Sequence, residues 1–253
     1  MKLIWTYNSK ANVGKVTNDR RVTLINYYIL SILSAKKLGY YCVIYTNKEE
    51  ITYFKNIVNE IVELNEYEDS SLTDCFKIKV LEDRNDDFCL IDGDVILKDK
   101  LPEFDNGIMF DTYEIGNWKG EYEETVNKLT KLGISETIPF WIGSRVNVIN
   151  CGLLRITNKN DRNIYVTFWK KYNNWLKDKF ENNDINLYSA TMVGAQYLLT
   201  LIVEFYKINP FSLNKNMGEK GKYYTHYFGE IKFQTPLVPT DKMIDITKIK
   251  NLL

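Results

Sequence analysis

The sequence predicts an α/β protein with a mainly parallel sheet flanked by helices, and three observations carry that expectation. Apolar runs of strand length alternate with stretches of helical length over the first hundred residues. The first long helical stretch stops on a glycine, Gly39, directly before a new apolar run. At 253 residues the chain is also long enough to bury one large core, so a single domain over 1–253 is expected, with 1–110 as a nucleotide-binding half.

Leu3-Ile4-Trp5-Thr6-Tyr7 is the opening strand, and the polar stretch from Asn8 to Gly14 is the loop that follows it. Ligands of open α/β sheets bind at the carboxyl ends of strands, so Thr6, Tyr7 and Asn8 are candidates for contacting a nucleotide base or ribose. A helix is expected from about Arg20 to Leu38, with Leu24, Tyr28, Ser31 and Ala35 on one side and Lys36-Lys37 in the last turn. Tyr41 to Thr46 is a second strand, Ile51 to Asn59 a short helix and Ile61 to Leu64 a third strand. Asp69 or Ser70 then caps a helix carrying Leu72, Cys75, Phe76 and Val80.

Phe88 to Leu97 reads FCLIDGDVIL, an apolar strand broken by Asp92-Gly93-Asp94. Two carboxylates at i and i+2 of an extended strand point the same way, with only a glycine hydrogen between them, which makes a seat for a hard cation. Asp-Gly between apolar runs is equally a hairpin signal, with Cys89 to Ile91 pairing onto Val95 to Leu97. On this stretch alone both remain open.

Beyond it the alternation weakens. Gly107 to Asp111 is a strand, and Asp111 at its end is a candidate catalytic residue. Thr112 to Ile142 is a polar and aromatic segment on the acceptor side, 111–253, with a helix near Tyr122 to Leu132. Val146 to Ile156 is a strand interrupted by Asn150-Cys151-Gly152, where glycine marks a bulge or a close approach by ligand. Asp161 to Lys179 is an amphipathic helix whose Tyr165, Phe168, Trp169, Tyr172 and Leu176 face the core, and Ser189 to Tyr206 is a second helix containing Gln196.

Composition narrows the partners. Lys plus Arg equal Asp plus Glu at 33 each, so no global field recruits nucleic acid. No run approaches the roughly 18 apolar residues of a membrane span, and Met1-Lys2 leads straight into a strand, so a cytoplasmic protein without a transmembrane segment is expected. The four cysteines are scattered, as for buried thiols in a reducing compartment. Eighteen tyrosines and five tryptophans exceed what a core needs, and such rings commonly line clefts for nucleobases and sugars.

The single histidine, His226, tips the balance towards a metal. It lies in Tyr224 to Lys232, three residues before Gly229 and six before Lys232, the types wanted where a metal and a phosphate sit side by side. If Asp92, Asp94 and His226 shared one ion, Lys232 and the Gly229 N–H could hold phosphate charge, which amounts to activation of a diphosphate leaving group. An oxygen-rich set with one imidazole suits Mn²⁺ or Mg²⁺.

With Asp92-Gly93-Asp94, Asn150-Cys151-Gly152 and His226-x-x-Gly229-x-x-Lys232 in this order, the chain resembles nucleotide-sugar glycosyltransferases of the GT-A fold. The likeness is to the retaining glycogenin-like and lipopolysaccharide galactosyltransferase group. The resemblance spans about Leu3 to Lys232. It implies metal ligation by Asp92, Asp94 and His226, diphosphate binding by Asp92, Gly229 and Lys232, sugar contact by Asn150 and a catalytic place for Gln196. It further implies a UDP-sugar donor and a glycan, glycolipid or glycoprotein acceptor. The group's acidic residue before the glutamine is Ala195 here, and its Pro-Trp after the lysine is Phe233-Gln234. A non-catalytic relative that binds nucleotide sugars is the alternative of a different class. A haloacid-dehalogenase-type phosphatase fits poorly, because its aspartate pair needs Gly-Thr after it near the start of the domain, and Val95 follows here.

Overall fold

The structure, a computed structural model, describes residues 1–8, 18–64, 75–115, 121–143, 147–180, 185–215, 221–227, 229, 231–234, 238–239 and 242–245. In chain order the elements are β1 (Lys2–Tyr7), α1 (Asn18–Lys37), β2 (Tyr41–Thr46), α2 (Ile51–Phe54), β3 (Glu60–Glu63), α3 (Cys75–Asp83), β4 (Phe88–Ile91) and β5 (Val95–Leu97). After them come β6 (Ile108–Phe110), β7 (Tyr113–Ile115), α4 (Glu121–Lys131), β8 (Asn147–Ile149), β9 (Leu153–Ile156) and α5 (Lys159–Phe180). The chain continues through α6 (Leu187–Met192), a π-turn (Val193–Tyr197), α7 (Leu198–Phe205), β10 (Pro210–Ser212), β11 (Tyr224–His226) and α8 (Ile231–Gln234). The expected caps at Asp69 or Ser70 and the loop from residue 9 to Gly14 lie outside the described residues.

Two compact units emerge, the first made of Met1–Ser71, Asp86–Glu103 and Gly218–Leu253, the second of Leu72–Asn85 and Phe104–Met217. In the first, β4, β1, β2 and β3 run parallel side by side, with Leu3 opposite both Cys42 and Cys89. Leu3, Ile4, Trp5, Cys42, Val43, Ile44 and Cys89 are wholly buried, because helices and loops cover both faces of a parallel sheet. Half-exposed β3 carries Glu60 and an exposed Glu63, charges that suit an edge strand. The second unit holds β10 parallel to β6, β6 antiparallel to β9, and a separate antiparallel pair of β7 with β8. The strands therefore make mixed, mostly parallel sheet flanked by helices, as the alternation of strand and helix predicted.

The hairpin alternative is not realised. β4 joins β1, whereas β5 leaves it and pairs antiparallel with β11, His226 opposite Val95. Asp92-Gly93-Asp94 is a turn rather than extended strand, closed by Val95 N–H donating to the Asp92 carbonyl at 3.2 Å. Its glycine is dictated by α1: a Cβ there would stand 2.1 Å from the Tyr28 ring. Tyr28 is itself fixed by its hydroxyl, which donates to the Thr6 carbonyl at 2.8 Å.

Helix α1 is buried on more than the expected face. Towards β5, Trp5 Nε1 donates to Ser31 Oγ (2.9 Å), Ser31 Oγ donates to the Val95 carbonyl (2.5 Å), and the Leu97 N–H donates to Ser34 Oγ (3.0 Å). In an antiparallel ladder alternate residues turn their backbone groups away from the partner, and the two serines satisfy those of Val95 and Leu97. Elsewhere on α1, buried Asn26 donates to the carbonyls of Pro239 and Lys242 and accepts from the Ile244 N–H, while Tyr27 and Leu30 pack with Ile96 and Val238.

In the second unit the expected bulge at Asn150 is a corner between two sheets. β8 pairs with β7 and β9 with β6, and Asn150 Oδ1 accepts the Gly152 N–H at 2.8 Å, a local Asx turn that redirects the chain. The ring stripe of α5 is core, as expected: Tyr165, Trp169, Tyr172 and Leu176 are buried, and Phe168 is half-buried edge-on to Phe140. Tyr172 lies so close to Gly194 that an added Cβ would stand 2.6 Å from its ring. No helix among the described residues is long and apolar enough to cross a membrane.

Ser31→Ala would leave the Trp5 N–H and the Val95 carbonyl buried without their partner. At about 1–3 kcal/mol per stranded group, stability in urea unfolding should fall by about 2–4 kcal/mol. A parental midpoint would show that α1 does not secure β5 in this way.

Candidate metal centre

The first unit brings together side chains that lie 132 to 138 positions apart in sequence, and main-chain pairing does it. The Tyr227 N–H donates to the Asp94 carbonyl (2.9 Å), and the Lys98 N–H to the Tyr223 carbonyl (2.8 Å), at the two ends of the β5–β11 ladder. This register sets His226 opposite Val95 and beside Asp94. His226 Nε2 stands 3.3 Å from Asp94 Oδ1, and Lys232 Nζ on α8 stands 2.5 Å from Asp94 Oδ2. Each carboxylate oxygen thus faces a different nitrogen.

Asp94 is buried, and burial alone would push its carboxyl up; the Lys232 ammonium and then the His226 imidazole more than offset this and hold it well below the usual carboxylate range. Lys232, a type usually solvated, is only 16 % exposed along its side chain. The neighbouring Phe233 ring lies under both the Lys232 ammonium (5.8 Å) and the Arg20 guanidinium (4.7 Å). Gly229 has φ +57°, a left-handed conformation that glycine adopts without strain, and its α-carbon faces open space.

One donor atom each from Asp92, Asp94 and His226 lies within 4.8 Å of the others. An octahedral ion with ligands at about 2.1 Å places adjacent donors about 3 Å apart and opposite ones about 4.2 Å apart. Two carboxylate oxygens and an imidazole nitrogen this close to one another can converge on one divalent ion. The residue types fit as well, since hard oxygens dominate and the one nitrogen is a common transition-metal ligand.

At the carboxyl end of β1, the Thr6 carbonyl is taken by Tyr28, Tyr7 is buried against Phe54 and Tyr28, and Asn8 Oδ1 accepts from Asn47 Nδ2 at 2.9 Å. Burial first, and then the Glu50 carboxylate, push the Tyr7 phenol well above its ordinary value against the opposing Arg21. Glu50 is itself buried and paired with Arg21 Nη2 at 3.1 Å. Asn47, Glu50 and Arg21 were not picked out from sequence, where Asn and charged types in a loop or first helical turn carry no distinguishing pattern.

Asp111, Asn150 and Gln196 belong to the second unit. All three are buried. Asp111 Oδ1 accepts from Asn214 Nδ2 at 3.2 Å. Asn150 donates its N–H to the Thr112 carbonyl (2.9 Å) and Nδ2 to Glu114 Oε1 (2.5 Å). Gln196 sits on the π-turn, whose Ala195 carbonyl accepts the Tyr165 hydroxyl at 2.8 Å and the Cys151 thiol at 3.6 Å. π-turns inside helices recur at functional positions because the extra residue re-aims its neighbours. Glu114 was missed from sequence, hidden in a segment read as a polar insertion; the one signal was a charged residue flanked by Tyr113 and Ile115.

No protein-family model matches the sequence, and no curated protein does. Among solved structures the chain is similar to a galactosyltransferase, LgtC, in complex with donor and acceptor sugar analogs (13% identity, TM-score 0.43, covering 77% of this chain and 70% of that one). It is similar also to mouse xyloside xylosyltransferase 1 (10%, TM-score 0.43, 84% of each chain). A third is the inositol-1-phosphate CTP transferase from T. maritima (13%, TM-score 0.39, 83% of this chain and 84% of that one).

Lys232→Met removes one of the two groups that stabilise the Asp94 charge. In EDTA the variant should lose about 3 kcal/mol, as when one partner of a buried ion pair is deleted. Millimolar Mn²⁺ should restore much of the loss, because a cation at Asp94 replaces the missing charge. Equal melting temperatures of variant and parent in EDTA would contradict the assignment.

Proposed function

We propose that residues 1–253 act as a metal-dependent glycosyltransferase domain that moves a sugar from a nucleoside diphosphate, UDP in the first instance, to a glycan, glycolipid or glycoprotein acceptor. The observation that carries this reading is the convergence of Asp92, Asp94 and His226, with Lys232 on the far oxygen of Asp94. The order of the three motifs along the chain supports it, as does the GT-A resemblance they convey.

Asp92, Asp94 and His226 would hold the cation, Mn²⁺ preferred over Mg²⁺ because of the imidazole. Once bound, the ion supplies positive charge to a diphosphate leaving group. Asp94, kept ionised by its neighbours, offers only acceptors. The Lys232 ammonium, which meets Asp94, carries a positive charge suited to phosphate oxygens, with the Gly229 N–H as a further donor. Thr6, Tyr7 and Asn8 would meet the base and ribose, Asn150 the sugar, and Gln196 and Asp111 the reacting face, with retention of configuration as in the group the chain resembles. Buried thiols at Cys42, Cys89 and Cys151 suit a reducing, cytoplasmic setting.

Ala195 in place of an acidic residue favours a second reading, a protein that binds nucleotide sugars without transferring them. Incubation with UDP-sugars and Mn²⁺ separates the two, since a transferase slowly releases UDP to water and a binding protein does not. Asp94→Ala and His226→Ala should each weaken Mn²⁺-dependent UDP binding about 100-fold in calorimetry while keeping a cooperative melt. Parental UDP affinity in both variants would remove the metal centre from the reading.

A further inference from the structure

We propose that Glu114, a residue no motif points to, is the positioning residue for Asn150 and fixes which face of that amide meets the sugar of the donor; this rests on the glycosyltransferase reading above. Glu114 lies on β7, opposite Val148 of β8 and 2 % exposed. Its Oε1 accepts from Asn150 Nδ2 at 2.5 Å, while the Gly152 N–H donates to Asn150 Oδ1 at 2.8 Å.

An asparagine amide is nearly symmetric in shape and can sit either way round, so its orientation is set by what faces its two ends. Here the two ends meet opposite chemistries. Glu114 Oε1 accepts, so it meets the NH₂ end; a backbone N–H only donates, so it demands the oxygen. A flipped amide would oppose its oxygen to the accepting Glu114 Oε1 and its NH₂ to the Gly152 N–H, two repulsive contacts in a buried place. Asn150 therefore keeps one N–H and one oxygen lone pair in fixed directions for the donor and acceptor faces of a sugar hydroxyl.

Glutamine at 114 would not do the same, since its own amide can turn and present NH₂ to Asn150. A carboxyl group has no NH₂ to present. The arrangement also reaches the π-turn: Cys151, the next residue, packs its thiol on the Ala195 carbonyl beside Gln196. The acid that position 195 lacks thus has a counterpart on β7, acting through Asn150 rather than beside the glutamine.

The test pairs two readouts on the full chain, calorimetric affinity for UDP with Mn²⁺ and the rate of UDP release from UDP-glucose, UDP-galactose, UDP-N-acetylglucosamine and UDP-xylose. Glu114→Ala should slow release at least 10-fold and Glu114→Gln about 3-fold, with UDP affinity within twofold of the parent in both. Release at the parental rate in Glu114→Gln and Glu114→Ala overturns the proposal, and if the alanine variant does not fold, a parental rate in the glutamine variant alone does so. Loss of UDP affinity in step with the melting temperature also overturns it, as the mark of a structural role only. A parent that binds UDP with Mn²⁺ but releases none from any of the four sugars overturns the positioning role and leaves the nucleotide site standing. A parent that binds no UDP with Mn²⁺ overturns the glycosyltransferase reading itself.

Discussion

Everything at the candidate metal centre depends on the pairing of two three-residue strands, β5 and β11. A two-stranded ladder this short is marginal by itself in water. It persists because β5 is secured on its other edge by Ser31 and Ser34 of α1, and because the chain beyond β11 is tied to the same helix through Asn26. Closing so long a loop carries an entropic penalty that grows slowly with its length, so buried contacts such as Tyr27, Leu30, Ile96 and Val238 can offset it. Helix α1 thus holds in place the ladder whose register brings His226 beside Asp94.

Charge at the site follows from burial combined with pairing. A lone buried carboxylate would take up a proton, whereas Asp94 has an ammonium on one oxygen and an imidazole on the other, and stays ionised. The Tyr28 ring closes the space over Gly93, so that any side chain there would push the turn out of place. The place of the turn and the charge of Asp94 are in this way both set by neighbours on α1, β11 and α8.

The second unit solves a different problem, that of turning chain between sheets without stranding polar groups. Asp111 and Asn150 each stand where a strand of one sheet gives way to a strand of another, and their side chains satisfy backbone and side-chain groups exposed by the bend. Such corners place polar residues in a core that is otherwise aromatic and aliphatic, where every one must be paired. Asn150 spans two such groups, its Nδ2 donating to Glu114 Oε1 and its Oδ1 accepting from the Gly152 N–H.

By itself the sequence determined the strand and helix alternation, the helix closing at Gly39, the core stripe of α5 and the candidate metal-ligating types, because these depend on local periodicity and on residue chemistry. The Asp-Gly-Asp stretch alone did not separate hairpin from cation seat, and only His226 tipped the reading, since both share one local pattern and differ in the distant strand that pairs with Val95-Ile96-Leu97. Tertiary structure decided that partner, β11, and with it the meeting of Asp94, His226 and Lys232. It also decided that Asn150 makes a corner rather than a bulge, and that Glu114 holds its amide, since hydrogen bonds between residues 36 positions apart leave no trace in periodicity.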